Sequence, residues 1–240
     1  MNQSEMRIAA PEASRVTDEE AILKELLPLK GATVLELGCG KADKTRLIAQ
    51  QAASVLALEV DTIQLANNQA AQGPDNVQFE FGGAEAIPAA DSSFDIVLMF
   101  KSLHHVPIDL MNDTFSEIRR VLKPGGLAYI SEPVYDGDFN DILRMFHDEK
   151  AVREAAFSAE EHAVSTQRLS LVSQTFFLQP MHFDDFSQFD DRILKVTHTD
   201  HTLSPALHDA VRSKFDRHMT PDGVSFHLPI RVDLFRKDGP

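Results

Sequence analysis

Tryptophan is absent from this chain of 240 residues, and cysteine occurs once. The lone Cys39 excludes an internal disulfide, and with it the small stapled scaffolds of oxidising compartments. Positive charge is scarce as well. Lys and Arg number 23 against 37 Asp and Glu, for a net charge of −14. That balance argues against a general nucleic-acid grip, which needs cations to neutralise phosphates, although it leaves room for a local basic patch. No run approaches the roughly 20 apolar residues that span a membrane. The stretch MNQSEMRIAAPEASRV has no apolar core of signal-peptide length. The reading is a cytoplasmic protein without membrane insertion. Hydrophobic residues make up 43% of the chain, enough to bury a core.

Against these absences stands a regular alternation. Residues 1–15 read as a flexible leader and 16–240 as a single domain. TDEEAILKELLPLK reads as a helix, with Thr17 and Glu20 as a capping box. Apolar strands are predicted at 32–37, 54–59, 76–81, 94–100 and 127–132, with helical patterns between them and a Pro–Gly stop at Pro124–Gly126. Short-spaced alternation of this kind predicts an α/β fold: a doubly wound, mostly parallel seven-stranded sheet with helices on both faces. The rhythm changes after Glu132. Segment 133–224 carries helical patches, eight of the ten histidines and 11 of the 16 phenylalanines lie beyond residue 133, and the segment is read as a helical insertion covering the substrate. The terminal run 224–237 is a strand expected to return to the sheet as an edge or inserted strand. A further strand is expected near 175–183 or 193–199.

The stretch VLELGCGKADKT, Val34–Thr45, carries the chemistry. A dinucleotide fingerprint needs G-x-G-x-x-G, but Asp43 holds the third position after Gly38 and Gly40. A P-loop needs a longer spacing and Ser or Thr after the lysine. The turn therefore suits a ligand without a pyrophosphate. Glu36, two residues before it, repels phosphates and favours a cation or amine. Glu59 ends the second strand, where a carboxylate can accept ribose hydroxyls. These features fit S-adenosylmethionine, which has a sulfonium, an α-amino group and no phosphate.

With VLELGCGKA, VLALEVD, GGAEAIPAADSSFDIV, SLHHV and EIRRVLKPGGLAYISEP in this order, residues 30–135 resemble the class I S-adenosylmethionine-dependent methyltransferases. The likeness is to the ubiquinone/menaquinone C-methyltransferase-like, methyltransferase type 11 group. The resemblance implies S-adenosyl-L-methionine as cofactor and S-adenosyl-L-homocysteine as product. It implies that Gly38, Cys39 and Gly40 approach the cofactor's methionine part and that Glu36 holds its amino group, directly or through water. Glu59, with Val60 beside it, would bind the ribose, and Ala84 and Glu85 would lie near the adenine. Phe100 or Lys101 would line the amino-acid end. Gly83 departs from the family, which usually has an acid there that accepts from the adenine amine; Glu85 or a water would substitute, or affinity would be modest.

His104 and His105 are candidates for a general base, with structural or cofactor-lining roles as the alternative. Glu132 and Tyr135 are expected to face the substrate. Arg231 and Arg236 are read as edge cover rather than as anion ligands. THTDH, 197–201, has histidines at metal-like spacing without the architecture of such a site, and no metal is assigned. The sequence thus points to methyl transfer to a small-molecule partner by in-line displacement. An RNA or protein acceptor and a non-catalytic binding module are the alternatives.

Overall fold

The computed structural model describes residues 6–195 and 203–239. In chain order the elements are α1 (Glu19–Leu26), β1 (Thr33–Leu37), α2 (Asp43–Ala49), β2 (Ser54–Glu59), α3 (Thr62–Ala70), β3 (Val77–Phe81), β4 (Phe94–Phe100), α4 (Met111–Val121), β5 (Leu122–Pro133), α5 (Asp138–Leu143), α6 (Lys150–Ser165), β6 (Ser170–Phe183), α7 (Phe186–Phe189), α8 (Pro205–Asp216) and β7 (Val224–Arg236). The strands form one seven-stranded sheet in the order β3-β2-β1-β4-β5-β7-β6. The first five are parallel; β7 runs antiparallel between β5 and β6.

Val34, Leu35, Ile96, Val97 and Leu98 are at most 1% exposed, because β1 and β4 are covered on both faces. On one side Leu35, Leu37, Val97 and Met99 pack with Phe115, Ile118 and Ala156. On the other, Val34, Ile96, Leu98 and Tyr129 pack with Ile22, Leu23 and Ile48. The sheet therefore carries two layers of core, and its C-terminal edge, where the turns after β1, β2 and β4 emerge, lies between them.

Several expectations change in detail. Asp18, rather than Thr17 with Glu20, caps α1: its carboxylate accepts from Ala21 N at 2.8 Å. Both residues can cap, and the chain uses the one nearer the helix. The expected leader is an edge cover from Arg7 onward. Arg7 N donates to Gln174 Oε1 at 2.9 Å, Leu178 N donates to Arg15 O, and Thr17 N donates to Leu178 O. The additional strand is β6, the earlier of the two segments considered; the later one lies largely outside the described residues. β7 is inserted, so Arg231 is not edge cover. It is 3% exposed and ion-paired to Glu160 and Asp233. Arg236 is exposed and reaches Asp238 at 3.4 Å.

Five phenylalanines of the C-terminal half face one another rather than a cleft. Phe183, Phe186, Phe189, Phe215 and Phe226 pack on one another with Ile142, Leu194 and Val211 in a third core. Phe183, Phe189 and Phe215 are fully buried. Periodicity places these rings on inward faces without saying what they face, and here they face each other.

Candidate cofactor and acceptor site

The glycine turn is held from three sides. Gly38 has φ +74°, and a Cβ there would meet Ser102 Cβ at 2.8 Å. Glycine lets the loop after β4 close onto β1, and Ser102 Oγ donates to Leu37 O at 2.8 Å. Asn68 of α3 donates through Nδ2 to Gly40 O at 2.7 Å. The Glu59 carboxylate accepts from Gly40 N at 2.6 Å and from Val60 N and Asp61 N at 2.9 Å. Ala42 sits in the left-handed region at φ +60°, a conformation that costs a non-glycine residue about 1 kcal/mol or more. Cys39 is buried; burial, with the charges of Glu36 and Glu59, pushes its thiol up to about 12. It is a packing residue of the loop and not a reactive thiol.

Glu36 is the unusual group. It is 2% exposed, and its Oε2 has no hydrogen-bond partner among the described residues. Burial lifts its carboxyl to about 8; Thr45 and Lys44 oppose the rise and Glu59 adds to it. A buried, unsatisfied carboxyl beside the turn has an oxygen that an incoming cation could satisfy. At Gly40 a Cβ would meet nothing within 4 Å, so the loop borders open space. At the ends of β2 and β3, Val60 and Phe81 are exposed apolar side chains, 58% and 62%, and the register pairs Phe81 with Glu59. The residues present fit S-adenosylmethionine: a carboxyl for the amino group, acids for hydroxyls and an apolar ledge for a base. The expected adenine acid is missing at position 83, but a side chain there would run into the Glu85 carboxylate. Glu85 thus places its acid in the space that Gly83 leaves.

Phe100 packs in the core beneath the turn, its ring 5.6 Å from that of Tyr129. Lys101 is held across the edge by Glu19 at 2.7 Å and Gln179 at 3.3 Å. Glu132, expected to face the acceptor, instead lies 2% exposed beneath the loop after β4. One oxygen accepts from Leu103 N at 3.0 Å, and the other bonds His104 Nδ1. Tyr135 donates to Asp148 Oδ1 at 2.9 Å.

His104 is 4% exposed between Glu132 and Glu149. Burial pushes its pKa down, but the two carboxylates outweigh burial and lift it to about 9. An imidazolium flanked by two carboxylates is a poor general base, which argues against that role for His104. Its neighbour His105 is exposed, with ring centroids 4.2 Å apart. The THTDH segment lies outside the described residues.

A buried charge network backs the site. Arg153 Nη2 donates to Glu149 Oε2 at 2.6 Å. Arg231 pairs with Glu160 at 2.5 Å and with Asp233. Glu160 is raised well above the usual carboxyl range, by burial and by the charge of Asp233 against the opposing Arg231. Ser102, Asn68, Glu149 and Arg153 escaped the sequence reading. Each stands alone in a helix or loop, and only the fold brings Ser102 and Asn68 to the turn and Glu149, with Arg153 behind it, to His104.

Residues 34–126 match a family model described as a methyltransferase domain. The chain is similar to a 27-O-demethylrifamycin SV methyltransferase of Amycolatopsis mediterranei, 36% identical over 122 residues, covering 47% of this chain and 42% of that protein. It is similar to a ubiquinone biosynthesis O-methyltransferase of Sinorhizobium fredii, 34% identical over 107 residues, covering 43% and 42%. The chain therefore spans less than half the length of these relatives. Among solved structures, the YcgJ protein of Bacillus subtilis shares the fold, with a TM-score of 0.66 at 17% identity over 92% of this chain and 98% of that one. Among the described residues, no helix is long and apolar enough to cross a membrane.

Proposed function

We propose that this chain is a class I S-adenosylmethionine-dependent methyltransferase, as the match of residues 34–126 to a methyltransferase-domain model supports, and that it transfers the methyl group of S-adenosylmethionine to a small-molecule acceptor. The observation that carries the proposal is the buried Glu36 carboxyl, with one oxygen unpartnered, beside the open Gly38–Gly40 turn. The cofactor supplies the electrophilic methyl. The protein's part is to position: Glu36 takes the amino group, Glu59 the ribose hydroxyls, and Glu85 the adenine edge. Transfer needs the acceptor atom in line with the methyl at about 3–3.5 Å in a site that excludes water.

We place the acceptor near a groove of about 200 Å³ whose lining includes Pro11, Val134, Phe176, Phe177, Pro229 and Ile230. It lies past the C-terminal end of β5, on the same sheet edge as the glycine turn, and its apolar walls suit a small organic molecule. The likeness to methyltransferases named for a rifamycin precursor and for ubiquinone biosynthesis supports an acceptor of that class. Calorimetric titration with S-adenosylmethionine and S-adenosylhomocysteine, with NAD as control, tests the reading. Micromolar binding of both adenosyl compounds and none of NAD is expected. Binding of NAD alone would overturn it.

Two substitutions dissect the cofactor site. Glu59→Ala should cost about 1.5–3 kcal/mol of cofactor affinity, the range for hydrogen bonds to a charged group. Unchanged affinity in a folded variant would assign the ribose to another residue. Glu85→Ala should weaken binding roughly tenfold, about 1.5 kcal/mol. Adding Gly83→Asp should restore it, because the carboxylate then returns to the same space. Failure of Glu85→Ala to weaken binding would remove Glu85 from the adenine site.

A further inference from the structure

We propose that His104, His105 and Glu149 form a binding site for a divalent transition-metal ion of the zinc class, with His147 beside them. The inference goes beyond methyl transfer and does not depend on it. One donor atom from each of the three residues lies within 4.8 Å of the others. His104 Nε2 is 3.5 Å from Glu149 Oε1. That is long for a hydrogen bond and close to the edge, about 3.3 Å, of a tetrahedron built on zinc bonds of about 2.0–2.1 Å. His147 Nε2 is 2.9 Å from the same Glu149 oxygen.

The outer partners are placed as metal ligands require. Glu132 holds His104 Nδ1, which turns Nε2 toward the cluster. Arg153 Nη2 holds Glu149 Oε2 at 2.6 Å, which leaves Oε1 for the cluster. Such partners fix tautomer and ring direction in metal sites. His104 and Glu149 are buried while His105 is exposed, so an ion has a path from solvent. Two imidazoles and one carboxylate are a donor set of transition-metal sites that keep an open position. His104 and His105 come from the loop after β4, and His147 and Glu149 from the loop between α5 and α6. A bound ion would therefore clamp the C-terminal insertion to the edge that holds the glycine turn.

The test uses the full chain stripped with chelator and titrated with Co²⁺, followed by visible absorption, and then with Zn²⁺ by calorimetry. One ion per chain is expected, with Co²⁺ displaced by Zn²⁺. His105→Ala changes an exposed side chain that packs on His104, so thermal unfolding is measured beside it to show that the variant is folded. The substitution should weaken zinc binding by more than the roughly 10–100-fold that loss of an outer partner costs. Glu132→Gln, which alters the outer partner, should fall within that range. The double variant His198→Ala/His201→Ala should bind as the parent does. Absence of stoichiometric binding would overturn the site. So would binding that survives His105→Ala, or that is lost in the His198/His201 variant. S-adenosylhomocysteine affinity, measured on the same samples, separates a failed metal site from a failed methyltransferase reading.

Discussion

Arg231→Met should destabilise the protein by about 3–5 kcal/mol, the cost of stripping one partner from a buried ion pair. Arg231 is 3% exposed, and Asp233 and Glu160 are fully buried against it. Burial would depress the guanidinium's pKa, but the charges of Glu160 and Asp233 raise it further. Methionine fills much of the same volume and carries no charge, so Asp233 would be left buried with only the Gln174 amide, at 2.7 Å, to answer it. A loss of that size lowers the melting temperature of a domain this large by roughly 6–20 °C. The companion Glu160→Gln should cost less, because Arg231 keeps Asp233 as its buried charged partner and an amide of the same shape still accepts from its Nη2. Urea unfolding of the two variants at neutral pH measures both. An Arg231→Met loss no larger than that of Glu160→Gln would show that the pair contributes little net stability.

What the sequence made legible follows the range over which each feature is specified. β1 and β4 announce themselves because a strand covered on both faces is apolar almost throughout, and their boundaries fall within a residue of those expected. The glycine turn and Glu36 were legible because a turn and the acid beside it are local. Glu59 followed from its place at a strand end. Arg231 was misread because its environment is set by which strand β7 joins, and that pairing is invisible in a terminal segment of alternating residues. The phenylalanines were misplaced for the same reason. Their spacing predicts an inward face, but whether that face meets a cleft or other rings depends on α5, α7 and α8 folding together. His104 was read with a general base and a structural or cofactor-lining role both open. Its two carboxylate partners, Glu132 and Glu149, come from the end of β5 and the start of α6, and they turn a possible base into a bridging cation or a ligand.

Glu36 should couple cofactor binding to proton release. In the folded protein burial lifts its carboxyl to about 8, against a reference value of 4.5. The folded state therefore holds a proton that the unfolded chain gives up. This contribution to stability is fully present below the unfolded pKa and is lost as pH rises through about 8. A cofactor ammonium placed against Oε2 reverses the balance, since an adjacent opposite charge favours the carboxylate. Binding at pH 7 should then expel close to one proton. The dissociation constant should fall by up to roughly tenfold per pH unit between pH 6 and 8 and level off above. Calorimetry in buffers of different ionisation enthalpy reads the proton directly, as the slope of apparent binding enthalpy against buffer enthalpy. Glu36→Gln, which cannot ionise, should abolish the slope and weaken binding by removing the ion pair. A zero slope for the parent protein at pH 7 would mean that the amino group is held elsewhere. The unpartnered oxygen of Glu36 would then be a cost that the fold carries without the cofactor relieving it.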